Sequence, residues 1–172
     1  MLRQPTLRPS DVVVACQLAV TTDKTFVGLA TTTGLSVGET HNAVRRLALA
    51  GLLSPGARRP VGEVLLRFLV YGVPHAFPAV VGPETVGVAT ALGAPVFEGV
   101  LAAADAHVWP DPDGAVRGLA LTPLFSKASA LPKRNPVLYG LLTLIDALRV
   151  GQVRERKVAE ELLRDRLLRA HA

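Results

Sequence analysis

Residues 29–53 read LATTTGLSVGETHNAVRRLALAGLL, which has the layout of a short helix, a tight turn and a longer helix. Ser36 suits the N-cap of the longer helix, and Glu39 follows three residues later. The two side chains are therefore expected to satisfy each other's backbone N–H groups as a capping box. Gly34 can adopt the positive φ that a tight turn between helices needs. The stretch predicts a helix that begins at about Ser36.

This longer helix is predicted to be amphipathic. At 3.6 residues per turn, one face collects Val37, Thr40, Val44, Leu47, Ala48 and Gly51. The opposite face collects Gly38, Glu39, Asn42, Arg45, Arg46 and Leu49. We expect the first face to pack against the protein and the second to face outward.

Two further helices are predicted before it. Residues 25–33 (TFVGLATTT) are predicted to form a short helix with Phe26, Leu29 and Ala30 inward. Residues 10–20 (SDVVVACQLAV) form a supporting helix that Ser10 is expected to cap. Three helices in this order predict a trihelical unit that contains a helix-turn-helix.

The outward face carries side chains suited to DNA. Asparagine suits adenine and arginine suits guanine in the major groove, so Asn42 and Arg45 are the predicted base readers. The paired Arg45 and Arg46 are expected to grip phosphates. In the loop that follows, phosphate contacts and solvated charges are equally good interpretations of Arg58 and Arg59. The predicted DNA-binding residues are Ser36, Gly38, Glu39, His41, Asn42, Arg45, Arg46, Arg58 and Arg59.

The pattern resembles the winged helix-turn-helix of MarR-like bacterial transcription regulators, whose recognition helices commonly run GLS, several variable positions, VRRL and AGLL. The resemblance covers roughly residues 9–59 and implies a sequence-specific regulator that binds double-stranded DNA. A wing in this family is a longer β-hairpin than residues 54–60 (SPGARRP) allow. We therefore expect a reduced wing with Gly56, Arg58 and Arg59 at its tip. A plain three-helix bundle without function is the alternative.

Charge divides the chain into three segments. Residues 1–60 carry seven Lys or Arg against three acidic residues, a net charge of +4. Residues 61–132 carry three against six, a net −3, and residues 133–172 carry nine against five, a net +4. Basic ends around an acidic middle are expected if the N-terminal segment contacts DNA. The middle segment is not expected to touch DNA.

The remainder of the chain predicts a mixed region. Residues 61–71 read as a helix that ends at Gly72 and Pro74, and the stretch up to residue 95 reads as extended segments or packed loops. Asp113-Gly114 lies between two strand-like segments and predicts a small β-hairpin. Residues 61–148 resemble uncharacterised bacterial proteins that carry an N-terminal helix-turn-helix, which implies architecture and little chemistry.

Two C-terminal helices are predicted to form a helical hairpin. Asn135 suits a cap with Pro136 at the first helical position, and Gly151 is expected to end that helix. The second helix covers about residues 153–170 and turns an apolar face toward a partner. The pair either closes the domain or builds a homodimer, which is the arrangement that we expect of a regulator reading two symmetric half-sites.

The predicted fold is therefore mainly α (α+β). A winged helix-turn-helix DNA-binding domain with a reduced wing covers residues 1–60. A partner, effector and dimerisation region covers residues 61–172 and holds the small β-hairpin and the C-terminal helical hairpin.

Patterns for catalysis and cofactors are not found. No phosphate-binding glycine pattern occurs, and Asp111 and Asp113 lack the later ligands of a calcium loop, so they predict a turn. We expect neither an enzyme nor a metal or cofactor. The histidines lack zinc spacing, and the second of them is expected to be a hydrogen-bonded core residue: His41, His75, His107 and His171.

The single cysteine, Cys16, excludes an intramolecular disulfide and fits a reducing cytoplasm. No signal peptide is visible, and the apolar runs are too short to cross a bilayer, so no membrane partner is expected. A pocket lined by Tyr71, Phe77 and Trp109 is the predicted place for a small-molecule effector. Two other functions stay open at this point: an antitoxin-like protein that also binds a protein partner, and a winged-helix protein-interaction module.

Overall fold

The computed structural model describes residues 4–101 and 106–169, and helices make up most of it. The helices are α1 Pro9–Val20, α2 Phe26–Thr33, α3 Val37–Leu49, α4 Gly62–Arg67, α5 Val73–Ala76, α6 Leu131–Arg134, α7 Pro136–Val150 and α8 Val153–Arg169. The strands β1 Val81–Thr90, β2 His107–Pro110 and β3 Val116–Leu121 form a small sheet that closes on itself. The α+β class is therefore confirmed.

The predicted signals around α3 are present. The Ser36 hydroxyl accepts a hydrogen bond from the Glu39 N–H at 3.2 Å, and the Glu39 carboxylate accepts one from the Ser36 N–H at 2.8 Å. Gly34 ends α2 with a φ of 81°. The start of α1 differs from the prediction, because Pro9 occupies the first helical position and the preceding residue, Arg8, is the N-cap. Ser10 therefore lies inside the helix and does not cap it.

The core is centred on α1 and α7. Residues 11–19 of α1 and residues 141–149 of α7 are all buried. Asn135 connects the two helices, because its side-chain oxygen accepts from the Leu138 N–H and caps α7 while its amide donates to the Gln17 side chain at 2.8 Å. One hydrophobic cluster includes side chains from both predicted segments. The boundary predicted at residue 60 does not divide this core.

The sheet corrects the predicted β-hairpin. Asp113-Gly114 is in a turn, where the Asp113 N–H donates to the Asp111 carboxylate at 2.9 Å. This turn does not reverse the chain: β2 and β3 run parallel to each other, with Val108 beside Ala120, and both run antiparallel to β1. The ten-residue β1 has two edges, and each short strand pairs with a different one. Gly87 permits the closure, since a Cβ there would collide with the Trp109 carbonyl.

The helix predicted over residues 61–71 also continues further than expected. After α4, residues 68–72 form a π-turn, and α5 carries the helical path to Ala76. Pro74 follows directly on the wider π-helical segment, which accommodates a residue without an N–H donor inside the helical path. The predicted stop at Gly72 and Pro74 was therefore wrong.

A buried ion pair anchors the sheet to α7. The Asp146 and Arg149 side chains are 1% and 3% exposed, and their charged groups lie 2.7 Å apart. The Asp146 carboxylate also accepts from the Thr90 hydroxyl and the Trp109 indole, each at 2.7 Å. Burial raises the pKa of Asp146, and Arg149 with these donors opposes that rise. The Arg149 guanidinium completes its bonds on three backbone carbonyls, those of Phe77, Pro78 and Thr122.

Several further properties concern the described ranges only. No helix there is both long enough and apolar enough to cross a membrane. No three side chains of His, Cys, Asp and Glu gather there as metal ligands. Cys16 is buried, and burial raises the pKa of its thiol to about 12. The predicted end of the last helix at Ala170, and His171, lie outside the described residues.

Candidate nucleic-acid interface

α3 has one packed face and one exposed face. Thr40, Ala43 and Leu47 are buried against the protein. Val37, which the sequence placed on the packed face, is 47% exposed, and Ala48 is exposed as well. The packed strip is narrower than predicted, and α1 and α2 are the helices that mainly cover it. More of the α3 surface is therefore available to a partner.

The predicted base readers lie side by side on the exposed face. Asn42 and Arg45 are exposed and three residues apart, which places them next to each other on a helix. Within the described parts of the chain, neither side chain makes a hydrogen bond or an ion pair. The exposed face also holds Gly38, Glu39 and His41. Its amide and guanidinium groups keep their hydrogen-bonding capacity for a ligand.

Arg46 departs from this pattern. Its Nε and Nη2 donate to the two carboxylate oxygens of Asp11 at 2.7 and 2.6 Å, which is a bidentate ion pair between α3 and α1. The Asp11 side chain is 1% exposed and that of Arg46 is 18% exposed. Hydrogen bonding to Asp11 raises the pKa of the Arg46 guanidinium. Arg46 therefore has a positioning role between α3 and α1, and its predicted phosphate contact stays a prediction.

A short stack connects the loop after α3 to α2 and α3. The Arg58 guanidinium lies 3.9 Å above the centre of the Phe26 ring, and that ring meets the His41 ring edge-on at 5.0 Å. Arg58 also donates to the Lys24 carbonyl at 2.7 Å. Phe26 is only half-buried, so it serves as a platform more than as a core residue. His41 and Arg58 are held in place by this stack.

The loop predicted as a reduced wing is closed by few bonds. Leu53 and Pro60 form a single antiparallel bridge, and the Ser54 N–H donates to the Arg59 carbonyl at 2.7 Å. Gly56 takes a φ of 69° within it. The Arg59 side chain is exposed. Both loop arginines are therefore exposed in the segment that follows α3 in the chain.

Two cations from the second segment lie at the turn before α3, and the sequence analysis missed them. The Lys127 ammonium donates to the Gly34 carbonyl at 2.6 Å. A Cβ on Gly34 would collide with the Arg134 guanidinium. The Ser36 hydrogen bonds are the main cause of the lowered pKa of Glu39, and the charge of Lys127 adds to it. No local signal reveals this placement, because Lys127 belongs to the acidic middle of the chain.

The predicted effector pocket is not formed by its three aromatic residues. Trp109 is 1% exposed and bonded to Asp146, whereas Tyr71 is 67% exposed. Phe77 lines a different cavity, between the N-terminal residues and α3. His75, expected as a core histidine, is exposed, because the helical path continues to Ala76 and turns it outward.

None of the known protein families, curated proteins and solved structures compared with the chain matches it. The resemblance to MarR-like regulators therefore stays a prediction that rests on the residue pattern of positions 9–59. The geometry around α3 is the main support for a function.

Proposed function

We propose that the chain is a sequence-specific transcription regulator that binds double-stranded DNA and places α3 in the major groove. The observation that carries this proposal is the exposed pair Asn42 and Arg45, which lie together on α3 without a partner in the described protein. An amide and a guanidinium read adenine and guanine by paired hydrogen bonds. Because the opposite face of α3 is packed, both groups are presented at a fixed spacing.

The charges around α3 favour phosphate binding. Of the three acidic residues before position 60, Asp11 is buried against Arg46, whereas Asp23 and Glu39 keep exposed charges at the starts of α2 and α3. The arginines at positions 45, 58 and 59 are exposed. Cations that neutralise phosphates supply much of the affinity of such proteins. We assign base contacts to Asn42 and Arg45 and phosphate contacts to the two loop arginines.

Gly38 contributes space. A Cβ at this position would meet no atom of the described protein within 4 Å, so the surface of the first turn of α3 is open. Ser36 and Glu39 hold that turn through the capping box. An open, fixed helix start is what a recognition helix needs, since its N-terminal residues enter the groove.

Fluorescence anisotropy tests the proposal. A labelled duplex from the DNA upstream of the chain's own coding sequence is compared with an unrelated duplex of equal length over a series of salt concentrations. Arg45→Gln is expected to lose about 1–3 kcal/mol of specific binding, or roughly 5- to 150-fold. Its matched control is Arg154→Gln, an equal loss of charge at an exposed position of α8.

Asn42→Ala is expected to lower the preference for the upstream duplex more than the affinity for the unrelated one. The proposal fails if the wild-type protein binds neither duplex at low salt. It also fails if Arg154→Gln weakens binding as much as Arg45→Gln does.

Dimerisation and a cytoplasmic location are parts of the proposal. A dimer would read half-sites roughly one turn of DNA apart, and transcription takes place where the chromosome lies. The α8 residues Ala159, Leu163 and Leu167 are buried within the same chain, so the C-terminal helices close the core. A second copy would therefore bind elsewhere on the surface, and sedimentation equilibrium measures whether it does.

One observation favours the protein-interaction module and, with it, an antitoxin-like activity. Leu49 lies on the outward side of α3, is 63% exposed, and lines a groove of about 370 Å³ with Pro5 and Arg45. A large exposed apolar side chain is a common feature of protein-binding surfaces. Leu49→Ser separates the two functions, because a DNA regulator keeps its DNA affinity in this variant.

A further inference from the structure

The segment from Lys127 to Asn135 is bonded directly to the helix-turn-helix. Lys127 bonds the Gly34 carbonyl, and Gly34 lies only two residues before the N-cap of α3. The Asn135 amide donates to the Gln17 side chain at 2.8 Å and to the Thr32 carbonyl at 3.4 Å. The segment is therefore attached at both of its ends to α1 and α2, next to the start of α3.

This attachment brings two positive charges to the start of α3. The Lys127 and Arg134 side chains are exposed, and the Arg134 guanidinium lies against Gly34. In the described ranges, Arg134 forms no hydrogen bond or ion pair. Glu39, which interacts with the charge of Lys127, is already hydrogen-bonded to Ser36. Glu39 keeps its negative charge, but Lys127 and Arg134 together outweigh it, so the charge at this end of α3 is more positive than the net −3 of residues 61–132 implies.

We propose that Lys127 and Arg134 extend the DNA interface beyond the helix-turn-helix and contact the phosphates beside the N-terminus of α3. The inference rests on the proposed function. A recognition helix in the major groove has a phosphate backbone on either side, and cations beside its first turn meet one of them. Arg58, which stacks on Phe26 beside His41, and Arg59 form the phosphate-binding group already proposed, and Lys127 and Arg134 would add a second group at the turn before α3.

Lys133 provides a matched control. It is exposed and precedes Arg134 in the same short helix. Its charge acts on Asp111 of the sheet turn, whose pKa is lowered first by a Ser129 hydrogen bond, then by the Asp113 N–H and Lys133. Lys133 thus lies close enough to the sheet turn for its charge to act there, and in the described ranges no hydrogen bond joins it to Gly34. Lys133→Gln removes the same charge from the same segment without removing a proposed phosphate contact.

The test uses the full chain and the upstream duplex, and it measures how the binding constant depends on salt. Each phosphate contact contributes a slope of about −0.9 in a plot of log binding constant against log salt concentration. Arg134→Gln is expected to make the slope less negative by about 0.9 and to weaken binding several-fold at low salt. Lys127→Gln should behave similarly. Arg134→Lys, which keeps the charge, should restore the slope, and Lys133→Gln should leave it unchanged.

Each outcome decides between the two proposals. If the wild-type protein and Arg45→Gln behave as proposed but Arg134→Gln keeps the full slope, the extended interface is wrong and the regulator stands. An equal change of slope in Lys133→Gln also overturns the extended interface, since the effect then comes from the net charge of the protein and not from a contact at one position. If the wild-type protein binds no duplex, both proposals fail. Equal melting temperatures of Arg134→Gln and Arg134→Lys exclude a folding defect as the cause of a lower slope.

Discussion

Asp11→Asn is expected to destabilise the protein through Arg46. Asparagine has nearly the size of aspartate and keeps an oxygen that can accept the Arg8 N–H, which Asp11 accepts at 2.9 Å. It loses the charge that neutralises the Arg46 guanidinium. Removing one partner of a buried ion pair costs about 3–5 kcal/mol because the other charge stays behind. The Arg46 side chain is 18% exposed, and water solvates it in part, so we expect about 2–3 kcal/mol.

Urea unfolding followed by circular dichroism measures this loss, and thermal melting should show it as about 5–10 °C for a chain of this size. Asp113→Asn, at an exposed turn, is the matched control and is expected to change stability by less than about 0.5 kcal/mol. The double variant Asp11→Asn with Arg46→Met should lose less than the sum of the two single variants, by about 1–2 kcal/mol. Additive losses, or a loss below about 1 kcal/mol in Asp11→Asn, would refute the positioning role.

Two further predictions concern the turn and the cap before α3. Gly34→Ala should reduce the free energy of unfolding by at least about 1 kcal/mol, since φ is 81° and the new Cβ meets Arg134. Gly38→Ala should increase it by about 0.5–1 kcal/mol, because alanine favours the helix and its Cβ meets no other atom within 4 Å in the described protein. If thermal melts show that both alanine variants are stabilised, or that both are destabilised, this reasoning is wrong. The Ser36 hydrogen bonds are the main reason why the pKa of Glu39 lies below its ordinary value of 4.5. Ionised Glu39 therefore stabilises the protein fully above about pH 4.5, and this stabilisation is lost as the pH falls through the lower pKa of the folded state. The stability difference between the wild-type protein and Glu39→Gln should therefore narrow in urea titrations below pH 4.5, and a constant difference down to about pH 3 would argue against it.

The sequence was most informative where a signal is completed within a few residues. Ser36 bonds Glu39 three positions away, and Asn135 caps α7 in the same way, so both helix starts were predicted. Gly34 was predicted because a positive φ follows from the local turn. These interactions need no knowledge of the rest of the fold.

Contacts between distant positions were not predictable in this way. Arg46 pairs with Asp11, which lies 35 positions earlier in the chain. Helical periodicity alone predicts instead that Arg46 lies on the outward face of α3. Asp113-Gly114 favours a hairpin, but the ten-residue β1 competes as the pairing partner of both flanking strands. One contact that the sequence analysis missed did leave a local signal: Asp146 and Arg149 are charged residues three apart in an otherwise buried apolar helix, where two charges must pair.

The double role of Asn135 has a consequence for how such a protein can change in evolution. One side chain starts α7 with its oxygen and holds α1 with its amide, and both helices are buried along most of their length. Cutting the chain after residue 60 would expose the apolar surface of α1 and leave its partner helix without support. The unit from α1 to α3 is therefore not an exchangeable module that recombination can transfer to another protein. A new surface on α3 has to arise by substitution of exposed residues while the buried contacts between α1 and α7 are kept.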